Sequence, residues 1–163
     1  MSELTPMRGG GFGLLLAWLL VSGVAVAQEC PLAAPLTVKD LQSGFAGETG
    51  TVWTIEPDCS FTVARQIGPK VGDPHRRGKL TPKQQTRLRE LMAQVEAAAL
   101  PEVLGAPPQV NARKVTLAYG AKRAVLHLAP GGGELHGLRA AAGGDRAARM
   151  LDLAAAVKDM TGG

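Results

Sequence analysis

Aromatic side chains are scarce here: three phenylalanines, two tryptophans and one tyrosine serve 163 residues. None of the six falls in the most basic stretch, residues 70–89, so that stretch offers no platform on which nucleic-acid bases could stack. Serine is thin as well. Beyond residue 27 only Ser43 and Ser60 remain, and neither sits in the G-x-S-x-G spacing of a nucleophile elbow. The histidines, His75, His127 and His136, form no H-E-x-x-H pair and no cluster with cysteine, which leaves no zinc signature. Gly131-Gly132-Gly133 lacks the lysine and the strand-to-helix setting of a phosphate loop. His127 alternates along a strand and reads as an ordinary sheet residue. His136, after the glycines, has the better functional claim, but pairing it with Ser43 as an enzyme has no supporting spacing. The expectation is a protein that is not an enzyme and carries no cofactor or metal.

What is present describes a globular chain: 45% hydrophobic and 20% charged residues suit one folded domain. Residues 1–27 stand apart. Phe12 to Val26 is almost free of polar side chains and ends in Ala25-Val26-Ala27, the small-residue pattern read by a signal peptidase. The run is too short to span a membrane, which takes roughly 20 apolar residues. The predicted organisation is therefore a signal peptide over 1–27 and a single domain over 28–163, periplasmic or secreted, with no stable membrane anchor after cleavage. Initiation at Met7 would remove Glu3 and leave Arg8 as a more usual basic start. Acylation at Cys30 is the competing processing route, but Ala27-Gln28-Glu29 lacks the small residues that lipoprotein cleavage needs.

Cys30 and Cys59 both survive that cut. In an oxidising compartment they are expected to pair, tying the new amino terminus to the segment around Pro57 and Asp58. The chain-entropy gain for such a loop is about 3–4 kcal/mol. No C-x-x-C spacing supports redox catalysis.

The rest of the chain reads as strands, helix, strands, helix. Leu36 to Gln42 is a first extended segment, and "TVWTIE" from Thr51 is β-branched and aromatic. "FTVARQI" from Phe61 returns as its hairpin partner, placing Trp53, Ile55, Phe61 and Val63 on one face. Residues 68–79 read as loop. Thr81-Pro82-Lys83-Gln84 is a capping box with proline at the first helical position. Leu88, Leu91, Met92, Val95 and Ala99 follow at helical spacing, with an end at Leu100-Pro101. After a proline-rich connection, Val115, Leu117 and Tyr119 alternate, Gly120-Ala121-Lys122 turns, and "RAVLHLA" returns. Asp145 is positioned to cap a last helix whose apolar stripe runs from Met150 to Met160 and stops at Gly162. These elements predict an α+β fold: a mainly antiparallel sheet of about five strands with two helices on one face.

Two features invite binding. Lys70, Arg76, Arg77, Lys79, Lys83, Arg87 and Arg89 face only Asp73 over residues 70–89. Arg76, Arg77 and Lys79 are thus candidates for contact with a polyanion or acidic partner. A solvated face is the plainer account, and export argues against nucleic acid as the partner. The second feature is "SGFAG", Ser43 to Gly47, which places one of the few aromatic rings among small residues that allow another backbone to approach. A glycine hairpin with Phe45 folded inward is the plainer account there.

Taken together, "SGFAG", the following "VWTI", the helix "LTPKQQTRLRELMAQVEAAALP", "VTLAYG" and a closing amphipathic helix resemble the emfourin-like inhibitors of thermolysin-type metalloproteases, such as the inhibitor of protealysin. The resemblance spans roughly Thr37 to Met160. It implies a non-catalytic inhibitor, monomeric when free, that blocks the zinc cleft of a thermolysin-like metallopeptidase. The binding residues would be Ser43, Gly44, Phe45, Ala46 and Gly47. Such enzymes prefer a bulky apolar side chain just after the scissile bond, so Phe45 would fill that pocket while the Gly44 carbonyl or Ser43 hydroxyl approaches zinc. The disulfide is expected to lend the loop part of its stiffness. The alternative is a non-inhibitory cell-envelope binding module that uses the basic loop and helix face.

Overall fold

In the computed structural model, which describes residues 30–45, 47–96, 99, 101–105, 110–131 and 133–162, one sheet organises the chain. The signal peptide read over 1–27 and its cleavage point lie outside the described residues, as does Ala46. The elements are β1 (Leu36–Gly44), β2 (Gly47–Ile55), β3 (Ser60–Ile67), β4 (Lys70–Val71), β5 (Arg76–Lys79), α1 (Pro82–Val95), β6 (Val103–Gly105), β7 (Arg113–Tyr119), β8 (Lys122–Leu128) and α2 (Asp145–Thr161). A 3-10 helix, Leu135–Ala141, precedes α2.

The strand order is β4-β3-β2-β1-β7-β8-β6, with β5 pairing on β3 beyond β4. All pairs are antiparallel except β6 on β8. The α+β class and the mainly antiparallel sheet agree with the sequence reading, but among the described residues the sheet has eight strands rather than about five. The three additional strands lie where composition says loop. β4 and β5 are wholly exposed, so no apolar alternation announces them. They form because β3 offers a free row of backbone groups, which His75 N–H to Val63 O (3.0 Å) and Gly72 N–H to Arg65 O (2.8 Å) extend. β6, three residues long, is too short to carry a period.

Register explains the core. The pairs Leu36–Ile55, Val38–Trp53, Trp53–Val63 and Ile55–Phe61 put the expected four side chains on one face. Val115, Leu117, Ala124, Leu126 and Leu128 continue that face through β7 and β8. Both helices deliver their stripes to the same core, α1 through Leu88, Leu91 and Val95 and α2 through Met150, Leu151, Leu153, Ala154 and Val157. The alanines of α2 let α1 pack beside it.

The capping box forms as the sequence requires: Thr81 Oγ1 accepts from Gln84 N–H, and Gln84 Oε1 accepts from Thr81 N–H. The same Gln84 donates to Met160 O at 2.9 Å, joining the start of α1 to the end of α2. Two helix boundaries differ from expectation. α1 stops at Val95, where Glu96 turns left-handed (φ 48°), so Ala99 lies beyond the helix and is exposed. At α2 the N-cap is Gly144, with Asp145 inside the first turn. Gly162 ends α2 in the left-handed region (φ 73°), as expected.

Cys30 and Cys59 are bonded, with Cα atoms 5.4 Å apart and a sequence separation of 29. The bridge holds residues 30–35 against the β2–β3 turn. No described helix is long and apolar enough to cross a membrane.

Candidate functional site

β1 and β2 form a hairpin whose last pair is Gly44–Gly47, and Phe45 stands at its turn. Phe45 is at 114% of its reference exposure, the highest value among the exposed large apolar residues. A ring that finds no cover in its own chain has lost the stabilisation, about 2–3 kcal/mol, that burial gives a phenylalanine. The inward-folded account of Phe45 is therefore set aside: the ring stands in solvent at the tip.

The glycines around it do different work. Gly47 has φ +83°, a conformation that strains any side chain. Gly50, further down β2, faces the carbonyl of Asp40 so closely that a Cβ would collide with it. Gly44 meets nothing: a Cβ added there has no neighbour within 4 Å. The space beside Gly44 is thus open to a foreign backbone.

Below the bare tip the hairpin is clamped on both faces. On the helix face, Asp40 of β1 takes a bidentate ion pair from Arg113 of β7, with Nε–Oδ1 at 2.7 Å and Nη2–Oδ2 at 2.6 Å. Both side chains are largely buried, at 12% and 16% exposure. Arg113 also donates to Gly133 O at 2.6 Å, and its hydrogen bonds to Asp40 hold the guanidinium's pKa above its ordinary value. On the opposite face Lys114 of β7 reaches across β1 to Glu48 of β2. Neighbouring turns add backbone bonds, Ser43 N–H to Ala112 O at 3.1 Å and Gly68 N–H to Glu48 O at 2.7 Å, while Gln42 Nε2 donates to Asn111 O. Sequence reasoning missed this clamp. Asp40 is 73 residues from Arg113 and Glu48 is 66 from Lys114, and their pairing depends on the β1–β7 and β1–β2 registers.

The disulfide, by contrast, is remote from the tip. Cys59 lies past the far end of β2, and nine strand residues at roughly 3.3 Å each separate it from Gly47. Stiffness at the tip comes from the ion pairs, and the disulfide secures the other end of the hairpin.

The candidate polyanion residues part company. Arg76 pairs with Val63, so its side chain turns to the helix side, where Nη1 donates to Thr161 O at 3.2 Å and to Gly162 O. It caps the C-terminus of α2, where a cation is favoured by the helix dipole. Arg77 and Lys79 project from the other side of edge strand β5, exposed. The three therefore do not make one surface. His136 bonds Asp159 of α2 at 2.9 Å, both well exposed, and no hydrogen bond among the described residues links it to Ser43. Among the described residues no group of three His, Cys, Asp or Glu side chains gathers as a metal site.

No protein-family model matches this chain and no curated protein matches it, so the reading of the hairpin tip rests on its geometry.

Proposed function

We propose that this chain is an exported, non-catalytic inhibitor of a thermolysin-like metallopeptidase, and that the tip Ser43–Gly47 enters the enzyme's zinc cleft. The observation that carries the reading is the fully exposed ring of Phe45 at a hairpin tip held by clamped strands. An apolar side chain presented on a narrow, fixed projection suits a deep apolar pocket next to a catalytic centre. The open space beside Gly44 lets the enzyme's backbone approach, and the Gly44 carbonyl or the Ser43 hydroxyl is the group directed to zinc. Because the strands below are already ordered, little entropy is lost on docking, the term that most often erodes affinity. Export fits the disulfide, which forms in oxidising compartments, and matches a secreted target.

The basic module is less favoured, because Arg76 is committed to α2 and the remaining Arg77 and Lys79 are ordinary solvated cations of an edge strand.

The test is azocasein hydrolysis by thermolysin with the chain lacking residues 1–27. The wild type is expected to inhibit, and Phe45→Asp to lose about 100-fold in Ki, the equivalent of one apolar ring, with an unchanged melting temperature. Equal potency of a folded Phe45→Asp variant removes the tip from the mechanism.

A further inference from the structure

One phenylalanine cannot carry tight inhibition, and the surface around the tip indicates what else is available. We infer, on the basis of the inhibitor reading above, that the contact surface is a three-loop edge. In it the β3–β4 turn with Ile67 and the turn before β7 with Val110 flank Phe45, and together they fit an elongated peptide-binding cleft with apolar subsites on both sides of its catalytic centre.

Exposed large apolar residues are the first observation. Among the described residues these are Phe45, Ile67 at 56%, Val71 at 48%, Val103 at 59% and Val110 at 85% exposure. Scattered singly, such residues need no explanation. Four of them, however, lie at the same end of the sheet. Ile67 pairs with Thr49 of β2 and closes β3, Val71 lies in β4 directly beyond that turn, and Val110 precedes β7 where β7 runs beside Gln42 of β1. Only Val103, on edge strand β6, is elsewhere. A concentration of exposed apolar side chains at one end of a folded chain marks an interaction surface.

Rigid connection is the second observation. The turns on either side are bonded to the hairpin itself, through Gly68 N–H to Glu48 O at 2.7 Å on one flank and Ser43 N–H to Ala112 O at 3.1 Å on the other. Gln66 Nε2 donates to Gly68 O at 3.0 Å and accepts at Oε1 from Lys39 Nζ at 3.2 Å, which fixes the β3–β4 turn from below. The three loops therefore move as one piece. A cleft that receives the hairpin meets its neighbours in a fixed order: Ile67, Phe45, Val110.

Size selects the partner. From β3 through β2 and β1 to β7 there are three strand spacings, about 14 Å in all, the length of roughly four residues of extended peptide. That matches a groove which binds substrate residues before and after the scissile bond, and it exceeds a single pocket. Lys70, exposed between Ile67 and Val71, adds a positive charge on the β3 flank, so the cleft that fits has an acidic rim on that side.

Ki values against thermolysin test the edge, using wild type, Phe45→Asp, Ile67→Asp, Val110→Asp, the double flank variant and Val103→Asp, each checked by circular dichroism melting. Ile67→Ser and Val110→Ser stand in should an aspartate disturb folding. Each flank variant is expected to weaken inhibition about 10-fold and the double about 100-fold, with Val103→Asp unchanged. If Phe45→Asp abolishes inhibition while the folded flank variants keep wild-type Ki, the three-loop edge is overturned and the hairpin reading stands. Absence of inhibition by the wild type overturns both. Equal loss in Val103→Asp, or a dimer in sedimentation that dissolves on Val110→Asp, also overturns the edge, since the apolar residues would then serve general adhesion or self-association.

Discussion

At its root the β1–β2 hairpin is held by buried Leu36 and Ile55 with the Cys30–Cys59 bond beside them, and at its tip Phe45 stands in water above two ion pairs. The two ends use different chemistry, and the proposed inhibitor role would give them different tasks. Apolar burial and a covalent bridge stabilise, and they need not leave anything accessible. A tip that must present a ring cannot be fixed by apolar cover, because the cover would take the ring. Polar clamps on the backbone side, Asp40–Arg113 on one face and Lys114–Glu48 on the other, fix the strands and leave the apex bare.

Removing the root bridge should have the largest effect. The Cys30→Ser/Cys59→Ser double variant is expected to lose about 3–4 kcal/mol of unfolding free energy in urea, with inhibition unchanged under conditions where it remains folded. A loss of inhibition in the folded double variant would break the contrast between the ends. Phe45→Asp is the converse: about 100-fold in Ki and no change in the urea midpoint. Asp40→Ala comes between, because it leaves the largely buried Arg113 with Gly133 O as its remaining partner. It should cost about 2 kcal/mol and weaken inhibition as the tip loosens, whereas a shift in stability with no shift in Ki would show that the clamp does not orient the tip.

Acid should produce the smallest effect and touch both ends. Asp58, in the turn beside Cys59, accepts hydrogen bonds from the Ser60 hydroxyl (2.6 Å) and N–H (2.9 Å), which hold its carboxyl below the ordinary 3.8. Glu134 is held below its ordinary 4.5 by the bond from Lys158 at 2.5 Å. Both groups bind protons more weakly folded than unfolded. Their contribution is thus complete above the ordinary carboxylate range and is lost as pH falls through the lowered values. Melting temperature against pH should fall more shallowly below about pH 4 in Asp58→Asn and Glu134→Gln than in wild type. Identical acid limbs would show that neither bond matters to folding.

Much of the frame was readable locally. Thr81-Pro82-x-Gln84 starts a helix by satisfying its own first donors, and Val115-x-Leu117-x-Tyr119 alternates because that face of β7 carries Val115 and Leu117 into the core. β4, β5 and β6 were not readable, since an exposed or three-residue strand needs only a neighbour's backbone, and no side-chain pattern records that. Ser43 to Gly47 stood out as a glycine-flanked ring, but whether that ring faced in or out depends on what lies around it in space.

The chain by itself therefore determined its α+β class, the start of its first helix, the partnership of its two cysteines and the oddity of Phe45, because each follows from neighbours within one turn or strand or from the cysteine inventory. Tertiary structure decided the rest: that Arg76 serves the end of α2, that Asp40 meets Arg113 and Glu48 meets Lys114, and that Phe45 remains uncovered. The first three are meetings of residues distant in sequence and the last is the lack of one, all set by how the strands register, and register is fixed only when the whole apolar face is buried at once.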